Sequence, residues 1–221
     1  MKYAGIITLF VITLLLMVIS SLGTWVHVTM HIDYTFGNFT EDSMDMVRNS
    51  YFKLWGETVT SRPADNDSQL ERGTYTYGFD YEFFPIVVFH ITFILMIVSI
   101  SLFAVAFIVL FLSSQNNTLL WKKIMMISIL LVFITALLFM WAFPYAIEEE
   151  NQDYRLIVKE EQGYFLWKHV EYETPDVAIA QETSRAGWGW YVALAAAIMG
   201  SMTLYFLRRY GTGEDAPHTL S

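Results

Sequence analysis

The chain alternates between long apolar blocks and long segments of mixed polarity. Four blocks carry no charged residue and reach about 20 residues, the length that a helix needs to cross a bilayer; they are residues 3–24, 85–112, 124–147 and 186–207. The pattern predicts four transmembrane helices. The first block is longer than the apolar core of a signal peptide, and no A-x-A-like site follows it, so we expect a retained helix.

The two long segments between the blocks, 25–84 and 148–185, are rich in β-branched and aromatic residues, which favour strands. The predicted strands are WVHVTMHIDYTF (25–36), SYFKLWGETVTS (50–61), GTYTYGFDYEFF (73–84), and a hairpin of 154–161 and 164–173 that turns at Gln162–Gly163. The sequence therefore predicts an all-α membrane protein, a four-helix bundle with a small extracellular antiparallel sheet formed by these two segments.

Composition and charge agree with a membrane protein and predict its orientation. Only 16% of the residues are charged, against about 25% in a typical soluble domain. The two long segments together hold twenty acidic and eight basic residues, whereas the ends of the chain and the 113–123 loop hold five basic and two acidic ones. The positive-inside rule then predicts a multi-pass protein of the cell membrane with both termini, including the 208–221 tail, in the cytoplasm. The acidic outer side argues against nucleic-acid binding.

The sequence shows no catalytic motif. It has no glycine-rich phosphate loop, no nucleophile elbow and no HExxH. The four apolar blocks contain no Asp, Glu, Lys or Arg, which argues against an ion pathway or proton relay within one copy. We therefore expect a protein that is not an enzyme and holds no cofactor.

Three histidines near the predicted outer interface offer the alternative, a metal or haem site. If the first helix continued past Gly23, His27, His31 and His90 could converge on copper, zinc or haem. A strand is favoured instead, because residues 3–24 already cross the bilayer. His27 and His31 would then share one sheet face with Trp25 and Thr29 and need not face His90.

Two further features bear on binding. The fourth block carries small residues at helical spacing, Ala193, Ala197 and Ser201 with Gly200 beside them, which predict close packing inside the bundle or against a partner helix. The acidic run 148–150, with Asp153, predicts a solvated face that binds cations weakly, since it lacks the spacing of a dedicated calcium loop.

The layout resembles the claudin-like tetraspan superfamily, which includes peripheral myelin protein and the gamma subunits of voltage-gated calcium channels. In that family a Trp follows the first helix, and a Gly-Leu-Trp motif with two cysteines comes later in the first outer loop. Trp25 occupies the first place here, and Leu54 and Trp55 occupy the second, with Lys53 where the family has glycine. The chain has no cysteine. The resemblance implies cytoplasmic termini and an extracellular sheet.

The leading hypothesis is therefore a non-enzymatic four-span protein that acts in cell-surface adhesion, lateral assembly or as an accessory subunit of a membrane complex. Its expected partners are the lipid bilayer and other membrane proteins or copies of itself. The alternative is a metal- or haem-binding subunit of a membrane oxidoreductase. A faint echo between YFKLW (51–55) and YFLW (164–167) also suggests two related halves.

Overall fold

The computed structural model describes residues 2–34, 44–63, 71–76, 84–112, 118–153, 157–164, 166–174 and 177–210. Within these ranges the chain forms four helices and seven strands. In chain order they are α1 (Lys2–Leu22), β1 (Thr24–Tyr34), β2 (Met44–Lys53), β3 (Gly56–Pro63), β4 (Glu71–Thr76), α2 (Phe84–Leu112), α3 (Thr118–Asp153), β5 (Ile157–Tyr164), β6 (Trp167–Thr174), β7 (Val177–Ala186) and α4 (Trp188–Tyr210).

The four helices pack as a ring in which α1 contacts α2 and α4, and α3 contacts α2 and α4. All four are long and apolar enough to cross a membrane. Their outward sides are also apolar: Leu15, Ile94, Leu130 and Ile198 are each more than half exposed. An apolar helix surface of this kind is stable only against lipid or another apolar surface, so the structure is that of a membrane protein.

Helix α3 is longer than the apolar block that predicted it. It begins at Thr118 rather than 124 and ends at Asp153 rather than 147. Its last turns therefore include the acidic run 148–150, which the sequence had placed in a loop. Pro144 lies inside the helix, where its ring removes one backbone donor.

The strands form one antiparallel sheet of seven strands in the order β4-β3-β2-β1-β7-β6-β5. The predicted all-α bundle with a small sheet is therefore wrong, because the sheet is a major part of the fold and the protein is a mixed α and β structure. The central pair is β1 and β7, which are connected directly to the neighbouring helices α1 and α4.

The size of the sheet was underestimated for two local reasons. The predicted strand 50–61 is the end of one strand and the start of another, because the chain reverses at Leu54 and Trp55. The segment VAIAQETSRA, which forms β7, has small and polar side chains that do not predict a strand; it is one because both neighbours pair with it. The second hairpin also reverses later than predicted, between Tyr164 and Trp167.

One end of the sheet is buried against the helix bundle. The buried core is continuous across the boundary, joining Trp25, Leu54 and Leu166 of the sheet with Phe89 and Phe139 of the helices. Both hairpin reversals and the helix-linked ends of β1 and β7 lie at this end of the sheet.

Backbones approach closely where α1 continues into β1 and β7 continues into α4. The Gly187 amide donates to the Trp25 carbonyl at 2.8 Å, and the Ser20 hydroxyl donates to the Gly189 carbonyl at 2.8 Å. A Cβ added at Gly187 would lie 2.2 Å from the Thr24 carbonyl oxygen. We call this crossing, formed by residues 20–25 and 186–190, the junction. It requires glycine because two main chains contact each other without a side chain between them.

We predict that Gly187→Ala destabilises the protein by about 2–3 kcal/mol, because its Cβ collides with backbone that cannot move aside. The measurement is the free energy of unfolding in detergent. The matched control is Gly5→Ala in α1, where no atom lies within 4 Å of the new Cβ and where alanine suits a helix better than glycine. Equal effects of the two substitutions would contradict the role of the junction.

Candidate functional site

The two faces of the sheet differ in burial rather than in charge, since Arg48, Glu57, Lys168 and Glu182 all lie on the more buried face. Residues directly opposite each other in adjacent strands share a face, and Val28, Ser50, Val59, Val170 and Tyr172, all buried, belong to one of them. The opposite face carries mostly polar side chains that are exposed or half-buried, and we call it the polar face. Its members include His27, Thr29, His31, Asn49, Tyr51, Thr60, His169, Gln181, Thr183 and Arg185. Val47 and Thr58 lie on the same face and are buried.

Side chains on the polar face are joined across the four strands β2, β1, β7 and β6. The Tyr51 ring stacks on the His27 ring with centroids 4.4 Å apart, and Arg185 Nε donates to His27 Nδ1 at 2.9 Å. Thr29 Oγ1 donates to Asn49 Oδ1 at 2.9 Å. His169 Nδ1 forms a hydrogen bond with Thr183 Oγ1 at 2.9 Å. These contacts hold the side chains in place before any partner binds. A preordered surface of this kind loses little side-chain entropy on binding.

His27 is held in its neutral form. Burial lowers the pKa of His27, the nearby Arg185 guanidinium lowers it further, and the Asn49 side chain offsets part of this effect. Because Arg185 donates to Nδ1, that nitrogen must be an acceptor, which fixes the tautomer with the proton on Nε2. The centre of the polar face therefore holds a stacked, uncharged imidazole beside a permanent cation. The His27 Nε2 atom is buried and has no hydrogen-bond partner among the described residues.

The three predicted ligand histidines lie in two elements, His27 and His31 in β1 and His90 in α2. The segment that contains His27 and His31 is a strand, as predicted; His31 is exposed four residues beyond His27, and His90 is half-buried in α2. Among the residues that the structure describes, no group of three His, Asp or Glu side chains is placed to hold a metal ion.

Trp25 does not share the face of His27, because the strand contains a β-bulge. Thr24 pairs with Lys53 and Val26 pairs with Phe52, so Trp25 is an extra residue in β1. A bulge of this kind places two consecutive side chains on the same side of a sheet, and both Trp25 and Val26 are fully buried. The indole donates its N–H to the Ser20 carbonyl at 2.8 Å and packs edge-on against Phe139.

Leu54 and Trp55 form the turn between β2 and β3. Leu54 is fully buried in the same cluster as Trp25. Trp55 is half-buried under the Lys53 ammonium, 4.8 Å from the ring centroid, and its indole N–H has no acceptor among the described residues. Leu166 has a matching place at the second hairpin reversal, where it is 1% exposed.

The small residues of α4 face two directions. Ala193 and Ala197 are buried, and Gly200 packs where an added Cβ would lie 2.8 Å from Ile129 of α3 and 3.3 Å from Thr13 of α1. Ser201 is exposed, and its hydroxyl donates to the Ala197 carbonyl. Close packing inside the bundle therefore uses one side of this helix, while Ser201 lies on its outer surface.

The backbone of the acidic run 148–150 and Asp153 is helical, and the side chains of these residues lie outside the described structure.

Sequence reasoning missed several residues that organise the site. Arg185 and Asn49 fix the histidine and threonine of the polar face, and Gly187, Gly189 and Trp190 form the junction. The stretch RAGWGW (185–190) carried a signal for the junction, since two glycines alternate with large aromatic residues before a helix. No sequence signal indicated the polar contacts, because they depend on the register between strands.

No protein-family model matches the chain, and no curated protein matches it in sequence.

We predict that pH affects stability through His27. Its folded pKa lies below the ordinary value of 6.5, so protonation favours the unfolded chain and stability falls as the pH drops below about 6.5. His27→Asn keeps an acceptor near the position of Nδ1 but does not titrate, and should flatten this fall between about pH 7.5 and 5.5. Thermal unfolding in detergent at several pH values measures this pH dependence, and the variant His31→Asn, at an exposed histidine, is the control. An unchanged pH slope in His27→Asn would contradict the assignment.

We also predict that Trp25→Phe destabilises the protein by about 1–2 kcal/mol, because it removes a buried indole and leaves the Ser20 carbonyl without that donor. Trp141→Phe is the control, since Trp141 lies on α3 and is 61% exposed. Both variants are compared by their free energy of unfolding. A loss for Trp141→Phe as large as that for Trp25→Phe would show that the buried hydrogen bond is not what matters.

Proposed function

We propose that the chain is a non-enzymatic, claudin-like membrane protein that binds a neighbouring macromolecule through the polar face of its sheet, in cell-surface adhesion or lateral assembly. The observation that most supports this proposal is the ordered set of contacts across β2, β1, β7 and β6. Tyrosine and arginine, both present there, are enriched at protein interfaces. A face whose contacts span four adjacent strands suits a macromolecule better than a small ligand, which needs a concave site.

The attachment of the sheet to the bundle also supports this proposal. Trp25 and Leu54, two of the residues that carry the claudin resemblance, are buried together between sheet and helices. The hydrogen bonds at the junction tie the central strands to α1 and α4. A binding surface held in this way transmits force and orientation to the membrane without a flexible linker.

On this proposal, the distribution of basic residues determines the orientation of the chain in the membrane. The basic residues Lys122, Lys123, Arg208 and Arg209 lie at the end of α3 and α4 opposite to the sheet. The positive-inside rule places that end in the cytoplasm and the sheet outside the cell. The polar face is then available to partners in the same membrane or on a facing one.

Site-specific photocrosslinking in native membranes tests the proposal. A photoreactive residue replaces Gln181 or Thr183, both exposed on the polar face, and in separate variants Arg48, which is exposed on the opposite face of the sheet. We expect covalent adducts with a neighbouring protein or a second copy from the two polar-face positions and far fewer from Arg48. A chain that stays monomeric and gives no adduct from any polar-face position would refute the proposed role.

A further inference from the structure

A lateral groove opens between α3 and α4 at the end of the bundle farthest from the sheet. Its volume is about 1000 Å³, at the upper end of the range for sites that hold a small molecule. Met126, Leu130, Ile198 and Met202 form walls that are each about half exposed, above the buried floor residue Ala197. Because these residues belong to segments apolar enough to span a membrane, the groove faces hydrocarbon rather than water.

One end of the groove is cationic. Lys122 and Lys123 from α3 and Arg208 from α4 line it, and no acidic side chain is among the lining residues. The first acidic residue in the sequence of α3 is Glu148, 26 residues along the helix from Lys122, or about 39 Å at 1.5 Å per residue. The cations lie near the ends of the two spans, at the depth of lipid headgroups, where long basic side chains commonly reach the interface.

From this arrangement we infer that the groove is a binding site for an anionic phospholipid. An acyl chain lies along Met126, Leu130 and Met202, and the phosphate lies between the three cations. Ser201 leaves room in the lining, because its small side chain is exposed and its hydroxyl already donates to the Ala197 carbonyl.

Charge distinguishes a lipid from a second copy of the chain as the occupant. Two copies that packed groove to groove about a two-fold axis would bring together two sets of Lys122, Lys123 and Arg208, and like charges at an interface oppose association. An anionic headgroup neutralises the same cations. A zwitterionic lipid offers no net charge, so the site should prefer phosphatidylglycerol to phosphatidylcholine.

The experiment uses the full chain, purified in mild detergent and titrated with each lipid while native mass spectrometry counts bound copies. The test variant is the triple change Lys122→Gln, Lys123→Gln and Arg208→Gln. Each basic residue near an anionic lipid contributes about fivefold in affinity, so the triple variant should bind phosphatidylglycerol on the order of 100-fold more weakly. The control is Arg209→Gln, which removes one neighbouring cation that does not line the groove and contacts it only through the hydroxyl of the lining residue Tyr205. This single change should weaken binding by about fivefold at most.

A second variant, Ser201→Trp, fills the groove without changing charge. We expect it to lower phosphatidylglycerol binding at an unchanged melting temperature, since Ser201 faces outward. The inference would be overturned if the triple variant bound phosphatidylglycerol as tightly as Arg209→Gln does. It would also be overturned if glycerol 3-phosphate alone displaced the lipid, which would show a phosphate site without an acyl-chain groove. Lipid-free dimers that Ser201→Trp dissociates would assign the groove to a second copy instead.

Discussion

Main-chain contact at the junction is the constraint on which the rest of this structure depends. The chain passes from helix to strand at Gly23 and from strand to helix at Gly187, and the two passages touch through backbone atoms. Each of these glycines removes a side chain that would hold the segments apart. The Ser20 hydroxyl and the Trp25 indole then supply the hydrogen bonds that water would otherwise make. The two backbone segments must lie close together and their N–H and C=O groups must also be hydrogen-bonded, because an unpaired backbone group near the bilayer costs several kcal/mol.

The position of the sheet follows from the junction. With β1 and β7 fixed beside α1 and α4, the remaining strands add outward on both sides, and the two hairpin reversals return to the membrane end. Leu54 and Leu166 are buried there, one from each hairpin. The echo between YFKLW and YFLW therefore corresponds to a similar place in the fold. It does not make the halves equivalent, since within the described ranges four strands follow α1 and three follow α3.

The sequence predicted the elements that depend on local composition and missed those that depend on pairing. The four spans follow from length and hydrophobicity alone, so their existence was predictable to within a few residues at most ends. Strand β1 was predictable from its β-branched residues. Strand β7 was not, because VAIAQETSRA is a strand only by virtue of its central position between β1 and β6. The bulge at Trp25 was equally hidden, since alternation alone places that tryptophan on the face of His27.

The polar face was predictable only in part for the same reason. The pairing of Thr29 with Asn49 and of His27 with Arg185 requires two register relations, one on each side of β1, that no single segment encodes. Small-residue spacing on α4 did indicate a packed helix side, yet it did not separate the buried Gly200 from the exposed Ser201. One residue of difference is about 100° around a helix, and only the position of α3 and α1 decides which side is the inside.

The junction also accounts for a seven-stranded sheet that has no disulfide. A cross-link stabilises a fold mainly by reducing the freedom of the unfolded chain. Here the packed pair of helices α1 and α4 has a comparable effect, because it holds the first residue of β1 and the last residue of β7 side by side. More than 150 residues separate Val26 from Ala186, which are paired in the sheet; closing such a loop in water is entropically costly and slow. The packing of α1 against α4 offsets part of that cost, because it already brings the two strand ends together.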